Sequence, residues 1–139
     1  MEHEGVLHTL KDICIIKFGV PLKATGRIYR SENFDLDDPE IKERLTTHTL
    51  FGVLDLPKDY MGSVNMEDVA FCIKKLYKKE DGLYADIDVL NTPSGRVMKT
   101  LIDAQCEFNV KPVGRGIENP DKTIEDYYLE TFEIVGFKD

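Results

Sequence analysis

The side chains that could perform covalent chemistry in this chain are few and widely spaced. The candidate nucleophiles are Ser31, Ser63, Ser94, Cys14, Cys72 and Cys106, and the candidate bases are His3, His8 and His48. Such a nucleophile needs a base beside it to take its proton. A dyad of Cys106 with His48 is conceivable, but reactive cysteines need a polar, cationic setting that an apolar strand does not supply. The sequence therefore predicts no catalytic residue.

Metal and cofactor sites are not expected either. The three cysteines are far apart, with no CxxC pair and no closely spaced histidine. Their spacing therefore fits neither a structural zinc site nor a disulfide framework. Asp86 and Asp88 could bind a cation, but a solvated strand face is the simpler interpretation because hard cations need more oxygen ligands. GxGxxG, Walker A and HExxH motifs are absent. We expect no cofactor and no metal.

Charge and hydropathy restrict the partners. Eighteen Lys and Arg residues against 26 Asp and Glu give a formal net charge of -8. Nucleic-acid binding is disfavoured, because it depends on Lys and Arg displacing counterions. No apolar stretch reaches the roughly 18 residues of a membrane span, and the first residues lack the basic start of a secretory signal. These features favour a protein of the cytoplasm.

Strand patterns dominate the elements that would position these side chains. Val6 to Val20 reads as one or two strands, and alternation from Val69 to Lys74 and from Tyr84 to Val89 predicts a hairpin that turns at Gly82. Further strands are expected over 49–54, 106–113 and 123–137, with a loop over 114–122. All three cysteines are expected in the core.

Two helices are predicted from their first residues. Asp38 before Pro39 and Thr92 before Pro93 each combine a capping side chain with a proline suited to the first turn. These helices should run to about residues 46 and 104. The inventory indicates one α+β domain over 1–139, built on an antiparallel β-sheet or small β-barrel flanked by helices.

Four segments carry a resemblance to a known family. They are Gly26-Arg27-Ile28-Tyr29, Gly52-Val53-Leu54-Asp55-Leu56-Pro57, Val89-Leu90-Asn91-Thr92-Pro93-Ser94-Gly95-Arg96-Val97 and Phe108-Asn109-Val110-Lys111-Pro112-Val113-Gly114-Arg115-Gly116. In order and approximate spacing they resemble the prohead (capsid maturation) serine proteases of tailed phages, which are related to the herpesvirus assemblins. The resemblance covers about residues 24–137 and implies a herpesvirus-protease-like fold.

The resemblance also implies where catalytic side chains should stand. The family's Gly-Glu-Leu-Asp-His-Pro-like motif delivers the histidine, and Leu56 occupies that place here. Its Gly-Val-Ser-Ser-Arg-Gly-like strand presents the serine, where this chain has Lys111 followed by Pro112. The third position comes from the final strand and aligns loosely near Glu133. Leucine cannot accept a proton, and proline removes one backbone N–H that could stabilise an oxyanion.

The sequence thus predicts a protease fold that lacks the catalytic side chains. The expected function is a catalytically inactive structural or peptide-binding module in phage head assembly or in the virion, with head proteins or an extended peptide as partners and with homo-oligomers allowed. Two alternatives remain open. One is an active, divergent prohead protease that processes scaffold and capsid proteins, and the other is a small acidic inhibitor of a host factor.

Overall fold

A six-stranded mixed sheet organises the chain. The computed structural model describes residues 5–23, 25–54, 60 and 65–135. In these ranges the strands are β1 (Val6–Lys17), β2 (Phe51–Leu54), β3 (Val69–Lys79), β4 (Gly82–Leu90), β5 (Asn109–Glu118) and β6 (Ile124–Val135). The helices are α1 (Pro39–Thr47) and α2 (Pro93–Asp103), with short 3-10 turns at Ser31–Asn33 and Met66–Asp68.

The sheet corrects two details of the predicted fold class. Its order is β1-β4-β3-β2-β6-β5, and β2 pairs with β6 in parallel while the other described pairs are antiparallel. The sheet is therefore mixed rather than antiparallel. No ladder closes β1 onto β5 within the described ranges, so the sheet is open and the small barrel is wrong. Pro112 in β5 fits this open edge, because a proline cannot donate to a further strand.

Both helices begin as predicted. The Asp38 carboxylate accepts a hydrogen bond from the Ile41 N–H at 3.2 Å, and the Thr92 hydroxyl accepts one from the Gly95 N–H at 2.9 Å. These bonds satisfy amide groups that a helix leaves unpaired at its start. The core is formed by the sheet together with Ile41 of α1 and Met98 of α2. Its fully buried side chains include Phe71, Ile73, Leu83, Ile87, Phe132 and Ile134.

The predicted β3–β4 hairpin is confirmed, but Gly82 has a different role from the one expected. Its φ is not positive. A Cβ atom at Gly82 would lie 2.4 Å from the Ile16 carbonyl oxygen, so glycine is needed here for the close approach of β1.

The segment after α2 does not enter the sheet where the pattern predicted. Gln105 has a φ of +59°, and the Cys106 N–H donates to the Leu101 carbonyl at 2.9 Å, which closes the end of the helix. Because its amide is used there, Cys106 precedes β5, which starts at Asn109. The strand then continues to Glu118 through the stretch predicted as a loop.

The sequence predicted that all three cysteines would be buried, and only one of them is. Cys72 is buried, whereas Cys14 and Cys106 are exposed. Cys14 lies on the edge strand β1, where one face of an apolar run has no neighbouring layer to cover it. Cys106 lies outside the sheet altogether.

Candidate functional site

The ladder between β5 and β6 brings two of the predicted positions together. Lys111 stands directly opposite Glu133 in the antiparallel register, and the Lys111 ammonium lies 3.2 Å from a Glu133 carboxylate oxygen. The Glu133 side chain is only 8% exposed and that of Lys111 is 27% exposed. A shielded ion pair therefore occupies the place where the resemblance expects a serine and its third partner.

Pro112 lies next to this pair on the end strand β5. It is buried and stands opposite Phe132 on β6. As proline it contributes no backbone N–H at this point of β5. Leu56, the residue at the expected histidine position, lies outside the described residues.

The two described serines among the alternative nucleophiles each lie at the start of a helical turn. Ser31 begins a 3-10 turn, and its carbonyl oxygen accepts hydrogen bonds from the Phe34 N–H and the Lys78 ammonium at 3.1 and 2.8 Å. Ser94 lies in the first turn of α2, where short polar residues favour helix initiation. Ser63 and His3 lie outside the described residues.

The conceivable dyad of Cys106 with His48 is not assembled. His48 ends α1 in the left-handed conformation with a φ of +59°. Both residues are described, and no hydrogen bond joins their side chains within that part of the chain. His48 is instead contacted by the Cys72 thiol, which donates to the His48 carbonyl oxygen at 3.3 Å. Burial raises the pKa of the Cys72 thiol, so it is held in its unreactive protonated form.

A second shielded carboxylate on β6 was not found from the sequence. Glu130 is 8% exposed, accepts a hydrogen bond from the Tyr60 hydroxyl at 2.8 Å and lies 3.0 Å from the Arg115 guanidinium. Burial, followed by the bond to Glu130, raises the pKa of Tyr60. The β5–β6 register shifts at this point, so Glu130 has no residue directly opposite it. A bulge of this kind leaves no periodic signal in a sequence.

Charged clusters elsewhere are engaged in holding strands together. Asp86 accepts a hydrogen bond from the Asp12 N–H, and Asp88 accepts one from the Thr9 hydroxyl, each at 2.8 Å. Across the described ranges, no group of three or more His, Cys, Asp or Glu side chains is arranged to hold a metal ion. None of the helices there is long and apolar enough to cross a membrane.

The segment around Thr92, which carries much of the resemblance, has a structural role. The Thr92 hydroxyl caps α2 and also donates to the Val69 carbonyl oxygen at 2.5 Å, which ties the helix to β3. A Cβ atom at Gly95 would lie 1.8 Å from the Leu90 carbonyl oxygen, so the helix can begin against β4 only with glycine there. This segment therefore specifies the scaffold and supplies no reacting group.

The fold is similar to that of a solved capsid protease. The structure matches that of the bacteriophage T4 capsid assembly protease gp21 with a TM-score of 0.63, covering 94% of this chain and 92% of that one at 14% sequence identity. The chain has a capsid-protease-like fold. No protein-family model and no curated protein matches the sequence. At this low identity the likeness concerns the fold, and the function has to be argued from the site.

Proposed function

We propose that this chain is a catalytically inactive protein with a capsid-protease-like fold, which serves phage head assembly as a structural or peptide-binding module. It acts in the host cytoplasm during assembly or as a component of the virion. Its partners are head proteins, which it contacts through an extended peptide segment or a folded surface. The fold is the reason to look among head proteins, since the T4 protein with the similar structure is a capsid assembly protease.

The Lys111–Glu133 pair is the observation that carries this proposal. Acyl transfer needs a nucleophile that attacks the peptide carbonyl and a base that takes its proton. Lysine at position 111 has no hydroxyl or thiol, and its side-chain nitrogen lies in an ion pair 3.2 Å from the Glu133 carboxylate. Even a neutral lysine would form a stable amide on attack and would not turn over.

The surroundings of the pair give no replacement for the missing parts. Pro112 offers no N–H to a developing oxyanion, and Cys72 is buried and bonded to a carbonyl oxygen. Removing serine or histidine alone from the subtilisin triad costs on the order of a million-fold in turnover. With leucine and lysine at both positions, we expect no measurable peptide hydrolysis.

The open edge of β5 supports a binding role. Within the described chain β5 is an end strand, so its outer backbone groups are available to an extended peptide. Arg115 on this strand is 78% exposed and provides positive charge on an otherwise acidic protein. A peptide that lies along β5 would pass over this guanidinium.

Binding to purified head proteins tests the proposal. The chain is immobilised and exposed to major capsid, scaffold and portal proteins of its phage, and virions are examined for its peptides by mass spectrometry. We expect saturable binding to at least one head protein, weakened by Arg115→Glu and unchanged by Lys42→Glu, a comparable reversal on the exposed face of α1. Absence of binding to every head protein, together with absence from virions, would refute the proposed role.

A further inference from the structure

A groove lies between the two end strands of the sheet. β1 and β5 stand at opposite ends of the strand order, and no ladder joins them in the described ranges. The groove has a volume of about 550 Å³, which is within the range of ligand sites. We call it the β1–β5 groove, and its apolar lining consists of Ile13, Ile15, Val20, Leu22, Phe108 and Val110.

Much of this apolar lining remains accessible. Val20 is 47% exposed, and Ile13, Leu22, Phe108 and Val110 are only partly buried against the core. Single exposed apolar side chains are normal on a protein surface, but a set that lines one concave surface is typical of a binding site. The groove therefore offers apolar area that side chains of a partner would cover.

Backbone hydrogen bonds hold the loop that forms one wall of the groove. The Phe18 N–H donates to the Asp81 carbonyl oxygen at 3.0 Å, and the Leu22 N–H donates to the Arg27 carbonyl oxygen at 2.9 Å. A wall that is already ordered loses little conformational freedom when a partner binds. The β1–β5 groove is therefore formed before any partner arrives.

The spacing of the end strands limits how a peptide can enter. At their nearest, Cα atoms of β1 and β5 lie within 8 Å of each other. Neighbouring strands of a sheet are about 4.8 Å apart, so a strand inserted between two others needs about 9.6 Å. A peptide therefore cannot complete the sheet at that point, and the groove accepts its side chains instead.

Charged side chains on the rim favour one sign of charge in the partner. Lys17 and Lys23 are exposed and line the groove together with Asp81. The two Asp81 carboxylate oxygens accept from the Tyr84 hydroxyl at 3.0 and 2.9 Å, whereas the Lys17 ammonium has no ion pair in the part of the chain that the structure describes. The rim is thus positive on a chain whose net charge is -8, and it favours carboxylates.

We propose that the β1–β5 groove binds an extended segment of a head protein in which apolar side chains are flanked by Asp or Glu. The apolar side chains enter the groove, and the flanking carboxylates meet Lys17 and Lys23 on its rim. The inference deepens the binding role proposed above and rests on it for the identity of the partner. The chemistry of the segment follows from the groove alone.

Titration of the full chain with a synthetic peptide tests the groove without any head protein. The probe is acetyl-Glu-Glu-Leu-Ser-Phe-Ser-Leu-Glu-Glu-amide, whose blocked ends leave side chains as its only carboxylates, and the comparison peptide has Lys in place of each Glu. Methyl resonances of Val20 and Val97 are followed by NMR, because both valines are 47% exposed and Val97 lies on α2 outside the groove. We expect saturable shifts at Val20 with the acidic peptide and none at Val97.

A charge reversal on the rim tests the selection of carboxylates. Lys17→Glu should weaken binding of the acidic peptide about two- to five-fold, as expected for one exposed ion pair, and should strengthen binding of the lysine peptide. Lys11→Glu is the matched control, since Lys11 is exposed on the same strand outside the groove, and it should leave both affinities unchanged. Circular dichroism confirms that each variant is folded before it is titrated.

Other outcomes decide against the groove. Absence of shifts with the acidic peptide, or equal shifts at Val20 and Val97, would overturn the site, and tighter binding of the lysine peptide to the unmutated chain would overturn the selection of carboxylates. Shifts at Val20 that follow the protein concentration without peptide would assign the groove to a second copy instead. Peptide binding without any binding to head proteins would leave the groove standing while the head-assembly role fails, and binding to a head protein that Lys17→Glu leaves unchanged would show the reverse.

Discussion

At the scale of single residues, the proposed lack of catalysis rests on the contact between Lys111 and Glu133. An ion pair with one side chain 8% exposed is costly to break from one side, because the remaining charge stays shielded from water. In the proposed function this pair replaces the nucleophile, because Lys111 stands where the sequence resemblance expects the serine. Sequence alone identified both residues, but their contact depended on the β5–β6 register, which a single-residue slip would have changed.

Lys111→Ala should lower the free energy of unfolding by about 1–2 kcal/mol, a value reduced from that of a fully buried pair because Lys111 is partly exposed. Urea denaturation measures the change. Lys42→Ala is the matched control, since its pair with Asp37 is exposed on both sides and spans 3.6 Å, and we expect a change below about 0.5 kcal/mol. Equal effects of the two substitutions would show that the Lys111 pair is not structurally important.

Acid sensitivity follows from carboxylates that accept hydrogen bonds. The bond from Tyr77, followed by that from Lys79, lowers the pKa of Asp12, and a bond from Tyr128 lowers that of Glu40. A lowered pKa in the folded state stabilises the protein above the ordinary pKa of the group, and this contribution is lost as the pH falls through the lowered value. The melting temperature should therefore drop from about pH 5 to about pH 3.

Asp12→Asn should make that pH dependence shallower and lower the melting temperature at neutral pH. Asparagine tolerates the φ of +55° at this position, so the backbone is preserved. Asp126→Asn is the control, because Asp126 is also exposed at positive φ, with no hydrogen bond to its carboxylate found in the described ranges. If the two variants show the same pH profile, the bonds at Asp12 do not contribute.

At the scale of elements, the start of α2 shows how a motif of the resemblance stabilises the scaffold. Thr92→Ala removes both the cap to Gly95 and the bond to the Val69 carbonyl oxygen. We expect a loss of about 1–2 kcal/mol in the free energy of unfolding. Thr92→Ser keeps the hydroxyl and should lose much less. A similar loss in both variants would point to the methyl group rather than to the hydrogen bonds.

The elements that sequence could predict are those with local signals. Caps at Asp38 and Thr92 and the two-residue period of β3 and β4 depend on neighbouring residues, so these elements were predicted correctly. The parallel pairing of β2 with β6 and the open sheet are contacts between distant segments, which leave no pattern in the chain. The same applies to Glu130, because it lies at a shift in the register of β5 on β6.

At the scale of the whole molecule, the fold suggests a protease, whereas the candidate site suggests a protein without protease activity. The fold is similar to that of a capsid assembly protease, whereas the residues that the sequence resemblance assigns to its chemistry form an ion pair next to a proline. Such a scaffold retains open strand edges and small cavities that suit the binding of peptide segments. A role in recognition is the proposal that fits both observations, and the net charge of -8 contributes to solubility.

The proposed absence of catalysis is tested most directly by incubating the purified chain with phage scaffold and capsid proteins and measuring the mass of every component over time. The prediction is that all masses, including that of the chain itself, stay unchanged. Specific cleavage that a serine- or cysteine-directed inhibitor abolishes, and that persists after removal of trace proteases, would contradict the absence of catalysis.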